Sequence, residues 1–262
     1  MPKMPALTTP RELAELVRRA GQLFLFCDYD GTLVPIAPTP AEARPDSLLI
    51  DLLGELAALP GVRVALVSGR GLADLSQMIP VPGLYLVGCH GAELRRPGGD
   101  EKALAHHAGP ALAQTARRMC RVLEGRRGFW LEQKKYSLAL HYRLAGPGEA
   151  SEVLEAFRLA GDEAARRHGL VFTPGKKVLE LRPGEAHKGA AVLRLLEECP
   201  GALPVYLGDD TTDEDAFAAL GGRGVTVLVA RESRPSAAGL RLPDPVSVRH
   251  WCRLLKDQFV KL

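Results

Sequence analysis

The sequence predicts an α/β protein: a parallel-sheet core interrupted by a smaller α+β insert. Three observations carry this prediction. Short apolar runs alternate with amphipathic helical stretches through the first part of the chain. The pattern breaks at Arg96-Pro97-Gly98-Gly99 and gives way to a helix–strand–strand order that occurs twice. After Pro183-Gly184 the first alternation returns. A core of residues 1–97 and 183–262 with an insert of residues 98–182 is therefore expected.

Each element follows from its local pattern. Leu23–Cys27, Val62–Val67 and Leu84–Cys89 are apolar runs of strand length, separated by helical stretches at Ser47–Leu59 and Leu72–Met78. In the insert, Ala108–Leu123 and Glu149–His168 have helical periodicity. Phe129–Glu132 pairs naturally with Tyr136–Tyr142, and Leu170–Thr173 with Lys177–Arg182 around a Pro174-Gly175 turn. Beyond the insert come a helix at Lys188–Glu198, strands at Leu203–Leu207 and Val225–Val229, a helix from Asp213 and a terminal helix over Val246–Lys256. Residues 1–22, 231–244 and the stretch from Pro97 to Ala108 show no clear pattern.

Composition narrows the function classes. At 262 residues the chain can bury a sizeable core, and 46% apolar with 25% charged residues is ordinary for a globular protein. A net charge of +3 is too small to argue for nucleic acid. No apolar stretch approaches a membrane span, and charged residues from Arg11 to Arg19 break up any signal-peptide core. Five widely spaced cysteines without a C-x-x-C pair read as reduced thiols in a cytoplasmic protein. No nucleic-acid or membrane partner and a monomer are expected. The insert holds 15 Lys+Arg against 10 Asp+Glu, the remainder 19 against 21. Positive charge thus gathers on the insert, which suits an anionic substrate.

Two apolar runs end in acidic clusters. Phe24–Thr32 reads F-L-F-C-D-Y-D-G-T, and Gly208–Asp215 reads G-D-D-T-T-D-E-D after Leu203–Leu207. Carboxylates gathered at strand ends repel one another and need a counter-charge. A hard divalent cation on oxygen ligands, Mg²⁺ above all, is the simplest one. Asp28 and Asp30 are two residues apart, so extended backbone points both to one side. One can attack phosphorus while the other protonates the leaving oxygen and then activates water. Asp209 is the third expected metal ligand, and Asp213, one turn on, either ligates or braces the ligands. Ser68-Gly69-Arg70 follows V-R-V-A-L-V and offers a hydroxyl and backbone N–H groups to a phosphate. Lys188 opens a helix, where its charge opposes the macrodipole unless it meets an anion.

In this order, D-Y-D-G-T at 28–32, S-G-R at 68–70, Lys188 and the acidic run at 208–215 resemble the four motifs of the haloacid dehalogenase-like phosphatases. The resemblance implies a Rossmann-like parallel-sheet core with an inserted C2B-like cap. It makes Asp28 the nucleophile, Asp30 the general acid/base, and Ser68 and Lys188 phosphate-binding. Mg²⁺ would be held by the Asp28 side chain, the Asp30 backbone carbonyl and Asp209. Further strings, H90-G-A-E93, E132-x-K134-x-x-S137, H141-Y-R143, G175-K-K-V-L-E180-x-R182-P183 and G-D-D-T-T-D-E-D-A-F, resemble the trehalose-6-phosphate phosphatases. That implies hydrolysis of trehalose 6-phosphate in trehalose biosynthesis. It also implies substrate contacts from Arg70, His90, Glu93, Glu132, Lys134, Ser137, Lys176 and Glu180.

Rival readings are weaker. C-x₅-R occurs at Cys89–Arg95 and Cys120–Arg126, but the first would place Glu93 in a phosphate-cradling loop and the second lies in a helix. A phosphatase of another sugar phosphate, of the sucrose 6-phosphate or mannosyl phosphate kind, shares the core motifs and differs only in the insert. A non-catalytic sugar-phosphate-binding protein would have no physical need to keep the general acid.

Overall fold

The computed structural model describes residues 3–259. It divides into two compact units, Met1–Lys102 with His187–Leu262, and Ala103–Ala186. The expected insert of residues 98–182 begins and ends four or five residues earlier than the second unit. The reason at the first boundary is that Glu93–Arg95 and Glu101–Ala103 extend the large sheet across the Pro97–Gly99 turn.

The first unit is built on a sheet of nine strands among the described residues. Its order is Ala6–Leu7, Leu240–Leu242, Val225–Val229, Leu203–Gly208, Leu23–Cys27, Val62–Val67, Tyr85–Gly88, Glu93–Arg95 and Glu101–Ala103. The pairs from the first strand through Tyr85–Gly88 are parallel; Glu93–Arg95 runs antiparallel to Tyr85–Gly88. Strand Leu23–Cys27 lies in the middle, and all five of its residues are buried. An unbroken apolar run is what a strand covered on both faces requires.

Successive side chains leave this strand on opposite faces. Leu25 and Cys27 join a core with Leu53, Leu66 and Trp251. That core takes in helices Ser47–Ala57 and Pro245–Phe259. Phe24 and Phe26 point the other way. Phe24 meets Tyr85 at 5.3 Å, Phe26 meets Tyr206 at 6.4 Å, and Tyr206 meets Phe217 edge-on at 5.6 Å. Each fully buried large side chain contributes about 1.5–3 kcal/mol of transfer free energy.

The N-terminal segment without a clear pattern contains a short helix, Pro10–Val17. Its start is a capping box: Thr9 Oγ1 accepts from the Glu12 N–H and Glu12 Oε2 accepts from the Thr9 N–H.

The second unit places helices Gly109–Leu123 and Pro147–His168 on one face of a four-stranded antiparallel sheet. Its order is Trp130–Gln133, Leu138–His141, Val178–Pro183, Leu170–Gly175. Leu138, Leu140, Leu179 and Leu181 pack with Leu112, Met119, Val153 and Phe157 of the helices. One expectation is corrected. Pro174 and Gly175 are not a turn but the end of a strand, with Gly175 opposite Val178. The turn is Lys176-Lys177, with Lys177 at φ 63°. Pro174 sits on the outermost strand, where its missing N–H is tolerated.

Candidate active site

Strand Leu23–Cys27 marks the point where the sheet order reverses: the chain proceeds to Val62–Val67 on one side, while Leu203–Gly208 lies on the other. Loops beyond the carboxyl ends of two such strands diverge and leave a crevice. Leu207 pairs with Cys27, so Asp28 and Asp209 emerge together from adjacent strand ends. The Asp28 N–H still donates to the Leu207 carbonyl at 2.9 Å, which ties the start of the loop to the sheet.

Asp28, Asp209 and Asp213 each present a carboxylate oxygen, and these atoms lie within 4.8 Å of one another. All three residues are buried. Lys188 opens helix Lys188–Glu197 and is buried as well. Its Nζ lies 2.9 Å from Asp28 Oδ1 and 2.8 Å from Asp213 Oδ1. The unfavourable helix position is thus offset by two carboxylates. Burial opposes the Lys188 charge, but Asp213 and Asp28 outweigh it and push its pKa up. Burial also pushes the Asp28 carboxyl well above its ordinary range; Lys188 opposes this, and Asp213 and Asp209 add to it.

Asp213 has a different part from its two neighbours. Its Oδ1 accepts from Lys188 and from the Tyr206 hydroxyl at 2.7 Å. Its Oδ2 accepts from the N–H groups of Asp209 and Asp210 at 3.0 and 2.9 Å. Four donors on two oxygens make it the brace of the acidic loop. Tyr206 was not singled out by sequence reasoning, although it is the one hydroxyl in the run Leu203–Gly208. Glycines permit this crowding. A Cβ on Gly31, which sits at φ +89°, would overlap the Asp209 carboxylate, and one on Gly208 would overlap that of Asp213.

The remaining sequence-predicted residues of this unit are placed as follows. Ser68 is buried beyond strand Val62–Val67, and its Oγ accepts from the Arg70 N–H at 3.2 Å. It does not cap the next helix, Leu72–Met78; that N-cap is Gly71. Glu93 fills the role instead, its Oε2 accepting from the Leu72 N–H at 2.9 Å. His90 has a left-handed backbone (φ 56°), and its N–H donates to the Ser68 carbonyl. Its ring lies so close to Gly69 that a Cβ there would be 2.5 Å away. The Arg70 guanidinium holds Asp30, and the Arg70 side chain is only 7% exposed.

In the second unit, the sheet face opposite the helices carries Glu132, Ala139, Glu180 and Thr173 in one cross-strand row. The Ser137 hydroxyl donates to Glu180 Oε1 at 2.6 Å, and Lys134 Nζ lies 3.3 Å from the same oxygen. Glu132 lies 3.8 Å from Lys134 and 3.0 Å from His141 Nε2. Burial opposes the Glu132 charge, but His141 and Lys134 outweigh it and hold the carboxyl below its usual range. Trp130 stacks on His141 with centroids 4.6 Å apart. Sequence reasoning did not assign His141 a role; its cross-strand position opposite Trp130 is visible only in the pairing. Lys176 stands in the exposed turn rather than on a strand.

Solved structures share this architecture. The Candida albicans trehalose-6-phosphate phosphatase C-terminal domain is similar at a TM-score of 0.84 and 27% identity, over 98% of this chain and 99% of that one. An Aspergillus fumigatus trehalose-6-phosphate phosphatase is similar at 0.70 and 30%, over 97% and 99%. The parallel sheet with aspartates at its point of reversal defines the class as haloacid dehalogenase-like α/β proteins. Within it, a family model described as trehalose-phosphatase matches residues 26–246, and the chain belongs to that family. The trehalose-phosphate phosphatases of Mycobacterium marinum and Mycobacterium avium are 36% and 39% identical over 91% and 89% of this chain. The aligned part is 62% of the length of each. Among the described residues no helix is long and apolar enough to cross a membrane, and the five cysteines are free.

Proposed function

We propose that this protein hydrolyses trehalose 6-phosphate to trehalose and phosphate through an aspartyl-phosphate on Asp28, as a step of trehalose biosynthesis. The observation that carries this reading is the convergence of Asp28, Lys188 and Asp209, which come from three distant parts of the chain. The names of the relatives point to the same substrate.

The donor set fits a divalent cation. Three buried carboxylates stand with one buried ammonium, a set whose formal charges sum to a negative value. All the donors are oxygens, the preference of Mg²⁺. Asp28, the Asp30 backbone carbonyl and Asp209 would hold it, with Asp213 orienting them through its hydrogen bonds to the Asp209 and Asp210 N–H groups. Bound there, the ion supplies charge neutralisation at the phosphoryl oxygens.

The protein's own groups divide the work. An Asp28 oxygen bonds to phosphorus as the bond from phosphorus to the sugar oxygen breaks, and Asp30 delivers a proton to that oxygen. Water then attacks the phosphorus and gives its proton to Asp30, and the bond to Asp28 breaks. Lys188 keeps Asp28 oriented and neutralises charge on the phosphate. Ser68 donates to a phosphate oxygen. In the second unit, Glu132, Lys134, Ser137 and Glu180 offer a row of donors and acceptors that discriminates a hydroxyl-rich sugar from an apolar ester. We place the protein in the cytoplasm, where its free thiols would stay reduced.

The test is phosphate release from trehalose 6-phosphate, glucose 6-phosphate, sucrose 6-phosphate and a mannosyl phosphate, with Mg²⁺ and with a chelator. Trehalose 6-phosphate should be the preferred substrate, and Asp28→Asn should abolish its turnover without unfolding the protein. Preference for another member of the panel would reassign the substrate. Full activity of Asp28→Asn would remove the mechanism.

A further inference from the structure

The Arg70 side chain is saturated. Its Nε donates to Asp30 Oδ2 at 2.7 Å and Nη2 to Asp30 Oδ1 at 2.8 Å, a two-pronged pairing. Nη2 also donates to the Pro40 carbonyl at 2.7 Å. Nη1 donates to Asp74 Oδ2 at 3.0 Å and to the Met78 sulfur at 3.2 Å. A guanidinium has five N–H groups, and five acceptors surround this one. Its carbon lies 5.3 Å from the centre of the Tyr29 ring, and Tyr29 is itself anchored by donating to the Ala43 carbonyl. The S-G-R string therefore has two halves with different tasks. Ser68 stays beside the acidic group's strand ends, while Arg70 turns away to the second carboxylate of D-x-D.

We propose that Arg70 is a positioning residue for Asp30: its fork, fixed by Pro40, Asp74, Met78 and Tyr29, sets where the proton-carrying carboxylate stands, and Arg70 acts on the reaction only through it. This rests on the acid role of Asp30 proposed above. Only a planar fork addresses both oxygens of a carboxylate at once, so a lysine in its place keeps the charge and loses the geometry. A phosphate ligand at position 70 would behave differently, because its effect would not depend on Asp30.

The experiment compares two esters on the same protein sample: trehalose 6-phosphate, whose alkoxide must be protonated to leave, and p-nitrophenyl phosphate, whose phenolate leaves unaided. The readout is the rate of leaving-group release in a single turnover, which precedes the attack of water that Asp30 serves for both esters alike, and the ratio of the two rates does not depend on how much of a variant is folded. Arg70→Gln and Arg70→Lys should each lower this rate for trehalose 6-phosphate about 10- to 100-fold, a part of the roughly 10²- to 10⁴-fold that a positioned acid supplies. Release of nitrophenolate in that turnover should be nearly unaffected and KM little changed. Placed on Asp30→Asn, either substitution should add nothing further. Equal loss on both esters, a further loss on Asp30→Asn, a rise in KM alone, or full recovery with lysine would overturn the proposal. Asp30→Asn by itself separates the two readings. If it slows leaving-group release from both esters alike, the acid role falls; if it is selective in that release and the Arg70 variants are not, only the role of Arg70 falls.

Discussion

The buried phenol of Tyr206 donates a 2.7 Å hydrogen bond to Asp213 Oδ1, the same oxygen that accepts from Lys188. One carboxylate oxygen thus joins the strand Leu203–Gly208 to the helix Lys188–Glu197. The phenol also lies between two aromatic neighbours, Phe26 and Phe217, that keep it from turning away. Tyr206→Phe preserves this packing and removes only the donor. The expected loss is about 1.5–3 kcal/mol, the range for a hydrogen bond to a charged group. Urea unfolding measures it, and an unchanged midpoint would show that Lys188 alone satisfies Asp213 Oδ1.

Lys188→Met should be more damaging. It keeps the side-chain length but leaves Asp28 and Asp213 buried without their cation. Breaking such a pair from one side costs about 3–5 kcal/mol. The Lys188 pKa is raised in the folded protein. Its contribution is therefore complete below the ordinary lysine value and is lost only as pH climbs through the higher native one. The stability gap between wild type and Lys188→Met should stay constant through neutral pH and narrow only in strongly alkaline buffer. A gap that closes at neutral pH would contradict a charged Lys188.

Mg²⁺ should raise the melting temperature, and Asp209→Asn should remove most of that rise. Burial raises the Asp28 pKa in the folded protein. A carboxyl that binds its proton more tightly folded than unfolded favours the fold at low pH, and this advantage is lost as pH rises from the ordinary aspartate range through the native value. Protons and the cation therefore compete for the same oxygens. The thermal shift should be larger at about pH 7.5 than at about pH 5, since ligand binding stabilises in proportion to its affinity at that pH. An equal shift at both, or one that survives in Asp209→Asn, would place the ion elsewhere.

Gly31→Ala tests the close approach on which the acidic group depends. The residue sits at φ +89°, and an added Cβ would overlap the Asp209 carboxylate. The backbone strain alone is about 1–3 kcal/mol. The thermal response to Mg²⁺ should fall with it, because Asp209 must move. A variant with normal stability and normal response would show that Asp209 has room to relax.

Glu180→Gln should slow turnover of the disaccharide phosphate about tenfold, the effect of losing one charged hydrogen bond, and affect a small phosphoester less. The Glu180 carboxylate accepts from Ser137 and pairs with Lys134, so the substitution also loosens those two side chains. Steady-state kinetics on both substrates decide the matter. Equal losses would mean that the residue holds the sheet together and does not read the sugar.

Much of this protein was legible without coordinates because its signals are local. Apolar runs of strand length, acids directly beyond them and a break in periodicity each occupy a few consecutive residues. They were enough to predict the alternating core, the insert and the members of the acidic group. Two elements inside the segments that showed no pattern, Pro10–Val17 and Glu101–Ala103, are short; the first packs into the core with Trp251 and Leu255 and the second joins the edge of the large sheet, and these neighbours supply what their own sequences lack. Thr9-Pro10-Arg11-Glu12 did carry a readable capping signal, but too little helix follows it to stand out.

What the linear order determined by itself was the chemistry available at each strand end: which residues are carboxylates, which is the lysine, and which glycines let them crowd. Tertiary structure decided who holds whom. Arg70 and Asp30 are 40 residues apart, Ser137 and Glu180 are 43 apart, and Tyr206 meets Asp213 only because the strand and the loop after it fold back on one carboxylate. A hydrogen bond requires a particular distance and direction between two groups, and for groups far apart in the chain those are properties of the packed fold, not of either local segment.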